Sequence, residues 1–269
     1  MYDFDYVKPA TLAEAIEALK AEDAQALGGG QTLLPTMKQR LASPSVLVDL
    51  SACLDRTVHV TDSGDCQVGG GATHATVAAS QHAPKWLRAV ARGIGDPQVR
   101  NMGTIGGSIA NNDPSADYPA AALGAGATIT TSTRSIVADD FFRGLFETQL
   151  EDGEIITAVT FPTADSTGHS AIQAANYQKF DQPASLFALA GVFVARRTDG
   201  VRVAVTGASE DGVFRWAEAE AALSDSFTPE AVASMAPAAD GMIGDLHGSP
   251  EYRAHLVGVL TRRAVAACG

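Results

Sequence analysis

Two stretches of this chain are almost without side chains, and they limit its fold more than any other feature. Leu27-Gly28-Gly29-Gly30-Gln31-Thr32-Leu33 follows a short apolar run, Ala24 to Leu27, and precedes a segment of helical spacing that reaches Arg40. Thr104-Ile105-Gly106-Gly107-Ser108 lies within the glycine-rich segment 101–112. Glycine belongs where the backbone needs positive φ or must approach another group closely. A glycine turn between strand and helix also aims amides at an anion near the helix N-terminus. Taken singly, each stretch has the ordinary reading of a tight turn. Neither contains G-x-x-x-x-G-K-[ST], which excludes an NTPase phosphate loop, and neither fits G-x-G-x-x-G with an acid about 20 positions on. The pair says more than either member. A diphosphate needs amides from two sides, and this chain has no basic cluster to replace them.

Around these stretches the pattern alternates between helix and strand. Thr11-x-x-Glu14 reads as a capping box opening a helix with Leu12, Ala15, Ile16 and Leu19 on one face. Val46 to Leu50 reads as a buried strand, and segments 57–60 and 66–69 read as a hairpin turning at Asp62-Ser63-Gly64-Asp65. Helical stretches at 76–79 and 86–93 end at the breaker Asp96-Pro97, and a helix-like run covers Tyr118 to Leu123. A second hairpin falls at 127–131 and 135–137, and a strand at Glu154 to Phe161. The small polar segment 163–169 is the best linker. Beyond it come strands at Ala188 to Arg196 and Val201 to Thr206, alanine-rich helices within 215–240, and a final helix from about Pro250 to Ala267. With 269 residues, at about 100–200 per domain, this divides into three modules: 1–52, 53–165 and 166–269.

Composition removes several classes of function. Apolar residues at 46 % and charged residues at 19 % exclude a disordered chain. Nineteen Lys and Arg against 31 Asp and Glu, a net charge of −12, argue against a nucleic-acid or anionic-membrane binder. No run approaches the roughly 18 apolar residues of a transmembrane helix, and Met1 to Val7 lacks the features of a secretory signal, so a cytoplasmic protein is expected. Cys53, Cys66 and Cys268 form no C-x-x-C pair, which speaks against iron–sulfur or zinc sites in this chain. His74 and His82, like His247 and His255, are eight apart with no third ligand, so no metal is assigned.

The long motifs carry a resemblance. LGGGQTLLP (Leu27 to Pro35), GGGAT (Gly69 to Thr73), TIGGSIANNDPSADYPAA (Thr104 to Ala121) and DLHGSPEYRAHLVGVLTRRAV (Asp245 to Val265) together resemble the FAD-binding subunit of the xanthine dehydrogenase/molybdenum hydroxylase family. Within it the chain is most similar to the medium subunits of aerobic carbon monoxide dehydrogenases. The resemblance implies an α+β fold: a two-part FAD-binding domain of the PCMH (vanillyl-alcohol oxidase/MurB-like) type, followed by a C-terminal α+β domain with a small antiparallel sheet. It implies that both glycine stretches bind the FAD diphosphate, which assigns Leu27, Gly28, Gly29, Gly30, Gln31, Thr32 and Leu33 on one side. Thr104, Ile105, Gly106, Gly107 and Ser108 are assigned on the other. Gly28, Thr32 and Ser108 depart mildly from the family's Ala, Ser and Asn.

The same resemblance places Ile94 near the flavin, Ile156 against the cofactor through its backbone, and Lys179 beside the ring. Asp117 stands where the family has an acid that contacts the adenosine half; its other reading is a helix N-terminal acid. Pro183 and Leu186 replace the family's Arg and Asp. The implied partners are a molybdopterin-containing large subunit and a small subunit with two [2Fe–2S] clusters, in a dimer of heterotrimers. The implied electron acceptor is quinone, NAD or oxygen. The alternative is a free-standing FAD-dependent oxidoreductase with its own substrate pocket.

Overall fold

The computed structural model describes residues 1–167 and 170–268. Its first unit runs β1 (Asp5–Val7), α1 (Leu12–Ala18), β2 (Ala24–Leu27), α2 (Leu33–Lys38) and β3 (Val46–Asp49). The strands form a parallel sheet in the order β1-β3-β2. The capping box is present: Thr11 Oγ1 accepts from the Glu14 amide at 3.2 Å, and Glu14 accepts from the Thr11 amide at 3.1 Å. Its core is small. Ala15, Val48 and Leu50 pack with Ile155, which belongs to the next unit.

The second unit continues with β4 (Val58–Val60), β5 (Cys66–Gly69), α3 (His74–Ala79), α4 (Lys85–Arg92), α5 (Pro97–Met102), α6 (Ile105–Asn111) and α7 (Asp117–Ala125). Then come β6 (Thr128–Thr131), β7 (Ser135–Val137), α8 (Ala138–Phe141), β8 (Phe142–Gly144), β9 (Glu147–Thr148) and β10 (Ile156–Phe161). Five strands make an antiparallel sheet in the order β4-β5-β10-β6-β7. Asp96-Pro97 starts a helix rather than ending one: Asp96 accepts from the Val99 amide at 2.8 Å, and Pro97 occupies the first turn, where its missing N–H costs nothing. The glycine-rich segment 101–112 is likewise mostly helix, with Gly106 and Gly107 in the first turn of α6. α7 is buried along its whole length, which suits its run of small and apolar residues.

The linker read at 163–169 is not free at its start. Thr163 donates to Gly64 O at 2.7 Å and the Thr167 amide to Ser63 O at 2.8 Å, so 163–167 is fastened to the β4–β5 turn. Gly168 and His169 lie outside the described residues.

The third unit holds β11 (Ile172–Asp181), β12 (Ala188–Arg197), β13 (Gly200–Thr206), β14 (Phe214–Arg215), α9 (Ala217–Asp225) and α10 (Pro250–Ala267). Its antiparallel sheet has the order β11-β12-β13-β14. β12 is buried on both faces, as its unbroken apolar sequence requires. Phe193 and Ala195 join the core of the second unit, while Val192 and Val194 face α9 and α10. Trp86 of α4 stands edge-on to Phe161 and Phe193, at ring separations of 5.8 and 5.1 Å, and so joins the two sheets. β11 was not expected from the sequence. It is the sheet's edge strand, and its polar IQAANYQKFD lacks the apolar run that marks its neighbour. Within the alanine-rich segment 215–240 the regular helix is α9, with one 3-10 turn at Pro229–Val232.

Candidate functional site

The two glycine stretches meet backbone to backbone. Leu27 closes β2, opposite Asp49 of β3, and Gly30 turns the chain at φ +69° before Leu33 opens α2. A Cβ on Gly28 would lie 3.0 Å from Thr104 Oγ1 and 4.0 Å from Gly107 Cα. A Cβ on Gly29 would overlap the carbonyl of Met102 and lie 2.6 Å from Gly103 Cα. A side chain at either position would push the first unit away from the second.

The second stretch is held from below. Thr104 caps α6, its hydroxyl accepting from the Gly107 amide at 3.1 Å. The Ile105 amide donates to Ala72 O and the Gly106 amide to Gly70 O, both at 3.0 Å, and the Ser108 amide donates to Thr104 O. Ile105 is fully buried. Ile105 and Gly106 therefore support the site and do not offer free donors. Gly70 also connects Ile156, the buried first residue of β10: the Gly70 amide donates to Thr157 O at 2.7 Å, and a Cβ there would overlap Ile156 O.

What remains open is on the first stretch. Among the described residues nothing accepts from the amides of Gly28, Gly29, Gly30, Gln31 or Thr32, and the Ser108 hydroxyl has no partner. Gly28, Gln31, Thr32 and Gly107 are exposed. These donors, beside a seam that excludes side chains, fit a diphosphate bound through main-chain N–H groups.

The remaining sequence candidates form a second group. The Lys179 ammonium donates to Gly93 O and Leu186 O, each at 2.8 Å, and lies 3.3 Å from Asp117 Oδ1 and 3.1 Å from Asp181. Ile94 follows Gly93 in that turn, and its carbonyl accepts from Arg100 at 3.1 Å. Asp117, at the start of α7, also accepts from the Tyr177 hydroxyl at 2.6 Å. Burial raises the Asp117 carboxyl to about 6, against the opposing pull of Lys179 and the Tyr177 hydroxyl. The groups are joined through His74, whose ring lies 5.4 Å from that of Tyr118 and directly behind Gly103. Burial, then the charge of Arg100, pushes the His74 imidazole down to about 4. Tyr177 stands two residues before Lys179, on the same face of β11, so both side chains reach Asp117.

No group of His, Cys, Asp and Glu among the described residues is arranged to hold a metal ion. A cleft of about 690 Å³ between α1 and the 151–154 turn, lined by Leu19, Lys20, Ser132 and Asp152, lies apart from the glycine stretches.

Residues 2–164 match the family described as the FAD binding domain in molybdopterin dehydrogenase. The chain is 35 % identical to the nicotine 6-hydroxylase medium subunit of Paenarthrobacter nicotinovorans, over 98 % of this chain and 96 % of that one. It is 35 % identical to the carbon monoxide dehydrogenase medium chain of Afipia carboxidovorans, over 97 % and 95 %. A crystal structure of the Cu,Mo-CO dehydrogenase superposes with a TM-score of 0.86 at 30 % identity, over 98 % of this chain and 97 % of that one.

Proposed function

Because the chain belongs to the family of FAD-binding domains of molybdopterin dehydrogenases, and is an FAD-binding medium subunit of that kind, we propose that it relays electrons. They arrive from [2Fe–2S] clusters of a partner subunit and leave through FAD to an external acceptor, quinone, NAD or oxygen. The observation that carries this reading is the contact of Gly28 and Gly29 with Met102–Gly107 beside amides that have no acceptor among the described residues. FAD, when bound, supplies the exchange between electrons delivered singly and electrons withdrawn in pairs.

The chain's own residues do the holding. Amides of Gly28 to Thr32 would hold the diphosphate from one side and the hydroxyl of Ser108 from the other, with the exposed Gly107 leaving room for it. Ile105, Gly106 and Ile156 support that turn from behind. Lys179 and Ile94 would line the wall toward the flavin, and Asp117, for which the resemblance implies a contact with the adenosine half, stands 3.3 Å from Lys179. Modules 1–52 and 53–165 clamp the cofactor, and 166–269 completes its pocket. With Cys53, Cys66 and Cys268 dispersed, this chain cannot supply the four thiolates each cluster takes, so the clusters belong to a small subunit and the substrate to a molybdopterin-containing large one. Equal identity to subunits named for nicotine and for carbon monoxide fits a substrate chosen outside this chain.

Purification of the full chain tests the reading. It should retain about one FAD, with the absorbance near 450 nm of oxidised flavins, and should turn over neither carbon monoxide nor purines without partner subunits. A chain that takes up no FAD, alone or with its partners, sinks the proposal. Turnover by the chain alone would favour the free-standing oxidoreductase.

A further inference from the structure

Tyr177 reaches Asp117 through a gap that one missing side chain provides. On β11, Tyr177 and Lys179 point to the same face, opposite Phe193 and Gly191 of β12. A Cβ on Gly191 would overlap the Tyr177 hydroxyl and lie 2.9 Å from Thr206 Cγ2. Without it the phenol crosses β12 and donates to Asp117 Oδ1 at 2.6 Å. The segment leading to Asp117 is fixed from the same sheet. Thr206 Oγ1 donates to Pro114 O at 2.9 Å and lies 2.8 Å from Ala116 O, and the Gly207 amide donates to Pro114 O at 2.7 Å. Asp117 is 5 % exposed, and the Lys179 side chain 7 %.

We propose that Tyr177 is a positioning residue of the flavin site: seated over Gly191, its hydroxyl keeps Asp117 ionised and paired with Lys179, and so sets the charge beside the flavin. This rests on the reading above, that Asp117 and Lys179 line the FAD site. The titratable and charged groups around Asp117 are Lys179, Tyr177 and Asp181 from β11 and Tyr118 from α7. Burial holds the Tyr177 phenol protonated far above neutral pH, so it is a constant donor. A buried carboxylate needs its hydrogen bonds to stay charged. Without the hydroxyl, Asp117 takes a proton at higher pH and leaves Lys179 with Asp181 as its remaining carboxylate partner. The loss of one negative charge there favours the flavin that has gained electrons.

The test is the midpoint potential of bound FAD as a function of pH, measured on the full chain saturated with FAD. Compared are the wild type, Tyr177→Phe and Asp117→Asn, with thermal melting alongside. The wild-type curve should show a step near pH 6 that Asp117→Asn lacks. In Tyr177→Phe that step should move to higher pH, and the potential at pH 7 should rise. Gly191→Ala, which displaces the hydroxyl without removing it, should repeat the shift and covers the case of a Tyr177→Phe chain that does not fold. A Tyr177→Phe or Gly191→Ala curve superimposable on wild type, even with lowered melting, overturns the role of Tyr177 while leaving the FAD assignment intact. A wild-type chain that binds no FAD overturns both.

Discussion

The amide of Gly106 donates to the carbonyl of Gly70 at 3.0 Å, and a Cβ on Gly106 would lie 2.6 Å from that same oxygen. Gly106 thus faces the protein, whereas its neighbour Gly107 faces outward. The two glycines of one motif do different work.

Gly106→Val should accordingly be a stability variant. Forcing a branched side chain into backbone costs about 1–3 kcal/mol or more, and urea unfolding should show it even without FAD. Gly107→Ala should cost far less, since its Cβ meets one side-chain atom, the capping Thr104 hydroxyl at 2.9 Å, and no backbone of a neighbouring segment. It should weaken FAD roughly tenfold or more, about 1.4 kcal/mol, by flavin fluorescence titration. The expected contrast is a loss of stability in Gly106→Val and a loss of FAD with little loss of stability in Gly107→Ala.

Ser108→Ala removes a hydroxyl that has no partner among the described residues. Its stability should stay within about 0.5 kcal/mol of wild type. A hydrogen bond to a charged phosphate is worth about 1.5–3 kcal/mol, so the dissociation constant for FAD should rise about tenfold. An unchanged constant by calorimetry would remove Ser108 from the site.

Glu154 accepts from Arg134 Nε and Nη2, each at 3.0 Å, and from Thr131 and Thr133, which holds its carboxyl down at about 2. A depressed acid stabilises the folded chain above its unfolded pKa and loses that contribution as pH falls through the folded value. Glu154→Gln should therefore be less stable than wild type by about 1–3 kcal/mol at pH 7. The gap should close between about pH 4.5 and 2, as read by unfolding at a series of pH values.

His74 has the same sign for a different reason. Its folded pKa of about 4 lies below the usual 6.5, so the unfolded chain binds the proton first. Stability should fall as pH drops from 6.5 toward 4. His74→Leu should flatten that part of the curve. The slope is the readout, whatever the offset in absolute stability.

Much of this arrangement was legible in the residues. The capping box at Thr11, the strand ending at Leu27 and the hairpin around Asp62 to Asp65 are local features, decided by neighbours in sequence, and all are present. β11 was not legible, because an edge strand with polar residues carries no apolar run. Neither was the helix at 105–111: two glycines argue against a helix, and its cap and its bonds to Gly70 and Ala72 override that propensity.

The sequence by itself determined where side chains are absent and which residues could cap, turn or alternate, since these follow from the steric and hydrogen-bonding nature of each residue. The tertiary structure decided which glycine faces a neighbour and which faces outward, and that Asp117 meets Tyr177 and Lys179 from 60 and 62 positions away. The reason is physical: close approach and desolvation are properties of pairs of surfaces. No single stretch of chain contains both members of such a pair.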